Sequence, residues 1–450
     1  MKKYFSNIQR KRNQGLNIIF LCFLIFLLAL NPLWVDLITS EKSYEHKILR
    51  STQNKSIRKI LSSESIEFVS PLDNESFIEI LPLGELTPPI HTFPTDHIYY
   101  ILNDSEGETW NVYAPASGTV FWLYFQQVSD ENGTYDDYSI GIRHSSSYIS
   151  YFYHVANLSG PLSQYSGTMA DDSEVFINKP VSKGQIIAKA WVHGSQTNLD
   201  WGLENHEIDL PWIHPETYWS GTAYCDCPLY YLTGSNLTDA KAKIKRLNVE
   251  TDPNWGGEIC FDQANTISGN WFSENKSREG YTIYTLHQKE IALVYNNFNA
   301  SQMVVSIGSN ATGACECGVY NATGPRWNTT TMESGLTSYN LTVRQNELIK
   351  NYTMLVQLVE PERLKVETFE GHLSNPVFTE NATYYDKYAW WYNEDYIAEI
   401  MLLLTILSQE QKESSFPMYI FFLIGGCGAI GVILTIIVVK IKTRRIVKNE

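Results

Sequence analysis

Four histidines, His97, His144, His154 and His193, stand beside short apolar runs between residues 93 and 204. Imidazole nitrogens bind metal ions and carry protons in catalysis, so histidines at this density could serve a catalytic metal centre. On the surface of a sheet they can equally be structural, with both ring nitrogens satisfied by hydrogen bonds. Other common catalytic signatures are absent, since the chain has no Gly-x-Ser-x-Gly elbow, phosphate-binding Gly-Lys-Ser/Thr loop or His-Glu-x-x-His helix.

Strand-like segments surround these histidines. Apolar and polar positions alternate, and Gly, Ser, Asn and Asp separate the runs, which is typical of antiparallel sheet. Within 113–120, Pro115 fixes φ and Gly118 can take a positive φ, so we expect a strand end, a tight turn and a new strand. The pattern therefore predicts an antiparallel β core over residues 88–210.

The order of phrases in this core resembles the β core of the lysostaphin/LytM-type zinc metallopeptidases. The phrases that match are His97, V-Y-A-P-A-S-G-T-V at 112–120, I-G-I-R-H at 140–144, Y-F-Y-H-V at 151–155 and V-S-K-G-Q-I-I at 181–187. The resemblance covers about a quarter of the chain. It implies an antiparallel fold and a zinc site made of a first His, an Asp four residues later and the second His of a closing His-x-His motif.

Two of those three ligand positions differ in this chain. His97 corresponds to the first ligand, but Ile101 stands four residues later and cannot bind a metal. Asn198 and Asp200 stand where the closing His-x-His belongs. Catalytic zinc normally has three protein ligands and an open position for water, so the metal site implied by the resemblance is incomplete.

A rebuilt site remains an alternative. A shift of the closing loop by a few residues would add His206 to His97 and Asp200 as metal ligands. His144 and His154 lie near the family's catalytic positions and are the candidate catalytic residues. We expect no cofactor if the site is lost, and Zn²⁺ if it is rebuilt.

Two apolar runs predict membrane segments. An uncharged run at 15–35 follows the basic tail 1–14, and a second at 416–439 precedes the basic tail 440–450. Each is long enough to cross a bilayer, and basic flanks stay on the cytoplasmic side. We therefore predict an anchor at 15–39, with a cleaved signal peptide as the alternative, and a transmembrane helix at 416–439. Both termini would be cytoplasmic and the segment between them extracellular.

N-glycosylation sequons support an extracellular segment. Fourteen Asn-x-Ser/Thr tripeptides without proline fall between the apolar runs. In an exported protein these are acceptors for N-linked glycans, and so many in one segment predict a surface glycoprotein. The acceptor asparagines are Asn54, Asn74, Asn103, Asn132, Asn157, Asn236, Asn275, Asn299, Asn310, Asn321, Asn328, Asn340, Asn351 and Asn381.

Charge limits the possible partners. The chain has 49 acidic and 34 basic residues, a net charge of −15, and many of the basic residues lie in the two tails. Nucleic-acid affinity depends on neutralising phosphates with Lys and Arg, so a nucleic-acid partner is excluded. An extracellular polymer, peptide or protein remains as the expected ligand. The acid pairs 136–137 and 171–172 are expected in solvated turns or, at best, as weak calcium ligands.

Five cysteines lie outside the apolar runs. An oxidising exterior favours disulfides, whose connectivity the sequence leaves open, and a zinc site made by the two Cys-x-Cys pairs is the alternative. The candidates are Cys225, Cys227, Cys260, Cys315 and Cys317.

The remaining segments complete a mainly β chain. We expect a stalk at 40–87, a connector at 211–255, and a second antiparallel sandwich or barrel at 256–375, because short strands alternate there with turn residues. An aromatic-rich juxtamembrane helix region is expected at 376–415, whose rings would lie at the lipid interface, pack on the β domain or stack on sugars.

Two functions from different classes follow. In the first, the chain is a cell-surface glycoprotein whose peptidase-like core is non-catalytic and serves binding or structure. In the second, it is a zinc endopeptidase with an atypical ligand set. The missing Asp and His-x-His favour the first. A signalling receptor is a third alternative, although both cytoplasmic tails are short.

Overall fold

A computed structural model describes residues 66–103, 108–130, 133–193, 196–274, 289–308, 313–345 and 348–388, together with the backbone of 419–421 and 437–439. Most of these residues form two antiparallel β modules joined by a connector. The mainly β, antiparallel fold class predicted from the sequence is confirmed for this part of the chain.

The first module contains ten strands in two sheets. Seven strands form an antiparallel sheet in the order β1-β2-β10-β6-β5-β4-β8, and β3, β9 and β7 form a second sheet. The strands are β1 (Phe77–Leu81), β2 (His97–Leu102), β3 (Thr109–Tyr113), β4 (Gly118–Asp130), β5 (Gly133–Arg143), β6 (Tyr148–Val155), β7 (Asn157–Leu158), β8 (Ser173–Val181), β9 (Ile186–Trp191) and β10 (Asn198–Asn205).

The alternation of the strands separates a core face from an open face of the large sheet. On β6, Ser150 and Phe152 are buried, whereas Tyr151 and Tyr153 are half-exposed. The buried set joins residues of the small sheet, such as Ile187, in one apolar core. The open face, defined here as the side that carries Tyr151 and Tyr153, holds the candidate site.

Residues 66–87, which the sequence pattern assigned to the stalk, lie within this module. β1 pairs with β2 along the edge of the large sheet, and the side chains of Phe68 and Ile80 are fully buried in its core. A connector, residues 206–268, contains 3-10 turns and one α-helix, α1 (Gly234–Lys243), and leads to the second module. It is longer at both ends than the predicted 211–255.

The second module is a closed barrel of eight strands, each paired with the next and the last with the first. The sequence left a sandwich and a barrel open, and the structure is the barrel. Its core includes the buried rings of Trp271, Trp327 and Tyr339. The strands are β11 (Gly269–Ser273), β12 (Ile291–Tyr295), β13 (Met303–Ile307), β14 (Gly318–Thr323), β15 (Thr337–Gln345), β16 (Leu348–Glu360), β17 (Arg363–Glu370) and β18 (Thr383–Asp386).

A buried ion pair ties the end of the barrel to the connector. The Lys387 ammonium lies 2.8 Å from a carboxylate oxygen of Asp262, and both side chains are about 98% buried or more. The ammonium also donates to the carbonyl oxygens of Ser268 and Asn270 at 2.7 and 3.1 Å. Its hydrogen bonds are satisfied inside the protein, as a buried charge requires.

The two modules pack against each other through aromatic rings. Phe93, in the loop that precedes His97, contacts Phe272 of β11 at 5.0 Å between ring centroids in an edge-on arrangement. Together with barrel residues such as Val294, these rings form a small apolar cluster of their own. The barrel therefore supports the loop that leads into the candidate site.

The predicted membrane segments fall largely outside the described residues. The anchor at 15–39 lies entirely outside them. Within 416–439, the two short pieces that are described form paired antiparallel strands, β19 (Tyr419–Phe421) and β20 (Ile437–Val439), rather than helix. Across the described part of the chain, no helix has both the length and the apolar character needed to span a membrane.

No disulfide joins the five cysteines outside the apolar runs, so the described structure gives no support to the predicted disulfides. The two Cys-x-Cys pairs lie in different modules: Cys225 and Cys227 pack in the core of the first, and Cys315 packs in the barrel. Buried thiols of this kind act as small apolar side chains. Burial also raises the pKa of the Cys225 thiol, which keeps it protonated.

Candidate functional site

A β-bulge turns His154 onto the open face. The pairing of β5 with β6 shifts register between Tyr138 and Ile140, so that Tyr153 and His154 together occupy one step of the ladder. His154 takes a left-handed φ of 64°, which is uncommon for a residue with a side chain. Without this extra residue, strict alternation would direct His154 into the core. Bulges and positive φ values often occur where a side chain must be re-aimed.

Strand register brings His97 and Asp200 to the same place. β10 lies between β2 and β6, and Asp200 is paired with Tyr99 on one side and Tyr153 on the other. Because paired residues point to the same face of a sheet, these three side chains share the open face with His97, which lies two residues before Tyr99. Asp200 is only 2% exposed.

Asp200 joins the two histidines. Its Oδ2 atom lies 3.3 Å from Nε2 of His97 and 3.5 Å from Nε2 of His154. The other ring nitrogens face separate carboxylates: Nδ1 of His97 is 3.0 Å from Asp96, and Nδ1 of His154 is 3.2 Å from Asp137. The result is an alternating chain of three carboxylates and two imidazoles, which we call the His–Asp network.

The carboxylates favour the charged form of both histidines. Burial alone would lower the pKa of His154, but Asp200 and Asp137 outweigh it and raise that pKa to about 9. Burial opposes the charge on His97 in the same way, and Asp200 and Asp96 raise its pKa as well. His91, whose ring centre lies 5.9 Å from that of His97, behaves oppositely: burial and the nearby His97 lower its pKa to about 4.

Ile101 and Asn198 mark the departures from the family pattern. They are paired across β2 and β10 on the open face, next to the network. The side-chain amide of Asn198 donates a hydrogen bond to Oδ1 of Asp200. An apolar side chain and an amide therefore stand where the resemblance implies an aspartate and a histidine.

Other sequence candidates lie elsewhere. His206, proposed as a third metal ligand, lies 2.9 Å from a carboxylate oxygen of Glu204 and packs on Tyr224 rather than on Asp200. His144 lies on the core face, where Nε2 is 2.9 Å from the hydroxyl of Ser150, and burial lowers its pKa to about 4. Of the residues selected from the sequence, the structure brings together His97, Asp200 and His154.

The sequence reasoning missed two carboxylates of the network. Asp137 was assigned to a solvated turn, but it lies in β5, is 6% exposed and has one carboxylate oxygen without a hydrogen-bond partner in the described structure. Asp96 was not singled out. The available signals were the Asp96-His97 dipeptide and the even spacing of Asp137, Ser139 and Gly141, which places them on one face of a strand.

An aromatic surface extends from the network across the open face. Trp122 and Tyr124 on β4 are nearly parallel, with ring centres 6.3 Å apart, and Tyr151 and Tyr153 on β6 form a similar pair at 6.5 Å. The ring centre of Tyr153 lies 5.7 Å from that of His97. Gly141 lies between the pairs, and a Cβ there would come within 3.0 Å of the ring of Phe121. These side chains make a broad half-exposed aromatic platform.

No group of three or more His, Cys, Asp or Glu side chains is arranged to hold a metal ion among the residues that the structure describes. The His–Asp network consists of direct contacts between imidazoles and carboxylates. The two Cys-x-Cys pairs, separated between the modules, provide no such group either.

Comparisons with known proteins find structural similarity at low levels. No family model and no curated protein matches the chain. A structure of the SpoIIQ–SpoIIIAH pore-forming complex is 14% identical, with a TM-score of 0.20, and covers 32% of this chain and 86% of its own. A mutant catalytic domain of the prophage-encoded M23 protein EnpA from Enterococcus faecalis is 16% identical, with a TM-score of 0.18. The match covers 30% of this chain and 87% of that domain. The solution structure of lysostaphin is 11% identical, with a TM-score of 0.23 and coverage of 72% and 92%. At such low scores, these similarities have no bearing on function.

Proposed function

We propose that the chain is a membrane-anchored, N-glycosylated cell-surface protein whose first module is non-catalytic and binds an extended extracellular polymer on its open face. The apolar runs, the basic tails and the sequons support the placement of the chain. Of the ten sequon asparagines that the structure describes, eight are exposed and two, Asn236 and Asn299, are half-buried, so every one of them is within reach of solvent.

The observation that carries the non-catalytic assignment is the saturation of His97 and His154. Their Nδ1 atoms are hydrogen-bonded to Asp96 and Asp137 at 3.0 and 3.2 Å. Both Nε2 atoms lie 3.3 to 3.5 Å from Asp200, and Nε2 of His97 is also 3.1 Å from the hydroxyl of Tyr99. An imidazole binds zinc or accepts a proton only through a free lone pair, and these contacts occupy both ring nitrogens of each histidine. The network is therefore suited to holding β2, β6 and β10 together rather than to activating water.

The aromatic platform supports a binding role. Parallel rings on β4 and β6 offer flat apolar surface, and two of them also make polar contacts at their edges. The indole nitrogen of Trp122 donates to Glu174 at 2.8 Å, and the hydroxyl of Tyr124 donates to Asp172 at the same distance. Rings fixed in this way lose little conformational freedom when a ligand stacks on them. A row of such rings suits a repeating polymer more than a single small molecule.

One observation favours the alternative of a zinc endopeptidase. The Nε2 atoms of His97 and His154 face the same oxygen of Asp200, and two imidazoles with one carboxylate are a ligand set that zinc accepts. These three residues would have to move apart from their present contacts to hold the ion, because in the described structure they are not arranged around a metal. A bound ion would supply an activated water for peptide hydrolysis. His154 would then replace His206 in the ligand set expected from the sequence.

Zinc content distinguishes the two functions. After dialysis against zinc, the zinc bound per chain would be measured by mass spectrometry of the metal. The samples are the purified full chain, its His97→Ala and Asp200→Ala variants, and His206→Ala as a control outside the network. We expect no stoichiometric zinc in any of them. About one zinc per chain that is lost in the first two variants and kept in His206→Ala would overturn the non-catalytic assignment.

Polymer binding tests the positive half of the proposal. Co-sedimentation with insoluble chitin, cellulose and peptidoglycan would be compared for the wild type, Trp122→Ala, Tyr151→Ala and the control Trp219→Ala, whose exposed ring (65%) lies in the connector. A stacking ring contributes about 0.5–1.5 kcal/mol, so each platform variant should weaken binding by about 3- to 10-fold. Equal losses in Trp219→Ala, or no sedimentation with any polymer, would count against the platform.

A further inference from the structure

A cavity of about 290 Å³ lies between the connector and the barrel. One wall is formed by Phe261 of the connector, and another by Tyr295, at the end of β12, with a centroid distance of 6.0 Å between the two rings. Asn328, the acceptor of a sequon, also lines this cavity. A volume near 300 Å³ is at the lower end for ligand pockets and fits one ring-sized group.

The backbone around Asn328 is held from both sides. Trp327 is fully buried and donates from its indole nitrogen to the carbonyl oxygen of Val294 at 2.8 Å. Thr330 is 1% exposed, and its hydroxyl lies 2.7 Å from that of Tyr339. The side-chain amide of Asn328 itself makes no hydrogen bond with the residues that the structure describes, and the residue is exposed. A group attached to this amide would start from a fixed position at the mouth of the cavity.

The charges of the lining favour a neutral group. The guanidinium of Arg246 is already engaged by the carboxylate of Asp252 and by the carbonyl oxygen of Asn297, so it is not available to an anion. Arg326 lies over the ring of Tyr295 at 5.8 Å, and the carboxylate of Glu258 lines the same cavity. One cation and one carboxylate can hydrogen-bond hydroxyl and acetamide groups, whereas a second anion would be repelled by Glu258.

We infer that the cavity holds the first N-acetylhexosamine of a glycan on Asn328, packed against the rings of Phe261 and Tyr295, and that this sugar fastens the barrel to the connector. The inference rests on the proposed glycosylation of the extracellular segment. The apolar face of the sugar covers an aromatic ring, and its polar groups face Arg326 and Glu258. The glycan at this position is therefore a structural part of the junction between the modules, not only a surface coat.

The turn after β12 connects the cavity beside Asn328 to the junction between the two modules. The side-chain amide of Asn297 donates to Glu85 of the first module at 2.8 Å, and the backbone nitrogen of Leu247 donates to the carbonyl oxygen of Phe298 at 2.8 Å. Further hydrogen bonds hold the turn, among them one from the amide of Asn297 to the carbonyl oxygen of Pro82 and one from Arg246 to the carbonyl oxygen of Asn297. A sugar ring packed beside the turn would add contact area to this junction. Sequons on the outward face of the barrel, such as Asn351 on β16, have no such role.

The test compares sequon variants of the full chain, produced in a eukaryotic secretory host that makes high-mannose glycans. Site occupancy is mapped by mass spectrometry, and thermal midpoints are measured for Asn328→Gln, Asn299→Gln and the control Asn351→Gln. Asn299 is included because its loop also approaches the cavity. We expect Asn328→Gln to lower the midpoint by about 2–4 °C and the other two to change it by less than about 1 °C.

Two enzymes separate the first sugar from the rest of the glycan. Endoglycosidase H leaves one N-acetylglucosamine on the asparagine and should preserve the thermal midpoint. Peptide N-glycosidase F removes the whole glycan and should act at least about tenfold more slowly at Asn328 than at Asn351 in the native protein, because the linkage at Asn328 is covered. Tyr295→Ala should lower the midpoint in the glycosylated protein more than in the Asn328→Gln background.

Several outcomes would overturn the inference. If Asn328 carries a glycan and Asn328→Gln behaves like Asn351→Gln, the sugar has no structural role. If endoglycosidase H alone removes the stabilisation, the outer sugars are responsible. If other sequons are occupied and Asn328 is empty, only this inference fails. If all sequons remain empty, the proposed glycosylation fails with it.

Discussion

The pH dependence of stability gives a direct test of the His–Asp network. In the unfolded chain the pKa of His154 is about 6.5, and in the folded protein it is about 9. Because the folded pKa is raised, the stabilisation is complete below pH 6.5 and is lost as the pH rises through about 9. We expect His154→Asn, which removes the cation but tolerates the left-handed backbone, to be most destabilising at pH 6.

The expected magnitude follows from the shift and the exposure. A difference of 2.5 pKa units corresponds to about 3 kcal/mol, but the His154 side chain is 35% exposed and solvent screens its ion pairs. We therefore expect His154→Asn to lower the free energy of unfolding by about 1–2 kcal/mol at pH 6. The difference from wild type should decline between pH 6.5 and pH 9 and be smallest near pH 9.5.

Urea unfolding of the full chain, followed by tryptophan fluorescence at six pH values from 6 to 9.5, would measure this profile. His206→Asn is a matched control, because its side chain is 34% exposed and contacts one carboxylate outside the network. A flat difference between wild type and His154→Asn, or one that grows with pH, would refute the assignment of a charged His154. A profile shared by His206→Asn would show that the effect is not specific to the network.

Three further substitutions test other features of the structure. Asp200→Asn should lower the pKa of both His97 and His154, measured by NMR titration of the imidazole protons, and unchanged values would exclude Asp200 as their common partner. Lys387→Met leaves the buried carboxylate of Asp262 unpaired and should cost about 3–5 kcal/mol in urea unfolding, whereas a loss under about 1 kcal/mol would contradict its burial. Phe93→Ala should cost about 3–5 kcal/mol by opening the aromatic contact between the modules, and faster proteolysis of the connector should accompany it.

The strand pattern of the first module could be predicted from the sequence, but the position of His154 could not. Alternation along 148–155 correctly separates buried from half-exposed residues up to Tyr153. The bulge then reverses the alternation at His154. It could not be predicted from this segment, because it depends on the pairing of β6 with β5. For the same reason Asp137 was not recognised as a partner of His154. Contacts set by strand register are non-local and leave no mark on a single segment.

The third member of the predicted metal set shows the opposite error. His206 was placed near Asp200 by assuming that the closing loop slips by a few residues. In the structure β10 continues to Asn205, so Asp200 and Glu204 share the open face and His206 follows the end of the strand. The carboxylate of Glu204 then satisfies His206 locally. Regular strand geometry over eight residues would have excluded the slip.

In the second module, the sequence predicted short strands but did not predict that they close into a barrel. The strands β13 and β16 fall within 256–375, where alternating short strands and turn residues predicted a second β domain. The final strand, β18, lies in the aromatic stretch that was expected to be a juxtamembrane helix, where Tyr385 is fully buried in the barrel. Its pairing with both β17 and β11 closes the barrel. Aromatic side chains alone did not distinguish a lipid interface from a barrel core.

The buried ion pair between Lys387 and Asp262 also has a mechanical consequence. β18 is held to β11 by two residue pairs and would peel away readily if the chain were pulled beyond residue 388. Lys387 binds Asp262, Ser268 and Asn270, which lie in or next to the segment that leads into β11. A force applied beyond residue 388 therefore acts on these contacts before it acts on the two residue pairs between β11 and β18. Tension on the C-terminal part of the chain would thus act on the first and last strands of the barrel together. The barrel would resist it as a shear force, and β18 would not be peeled off alone.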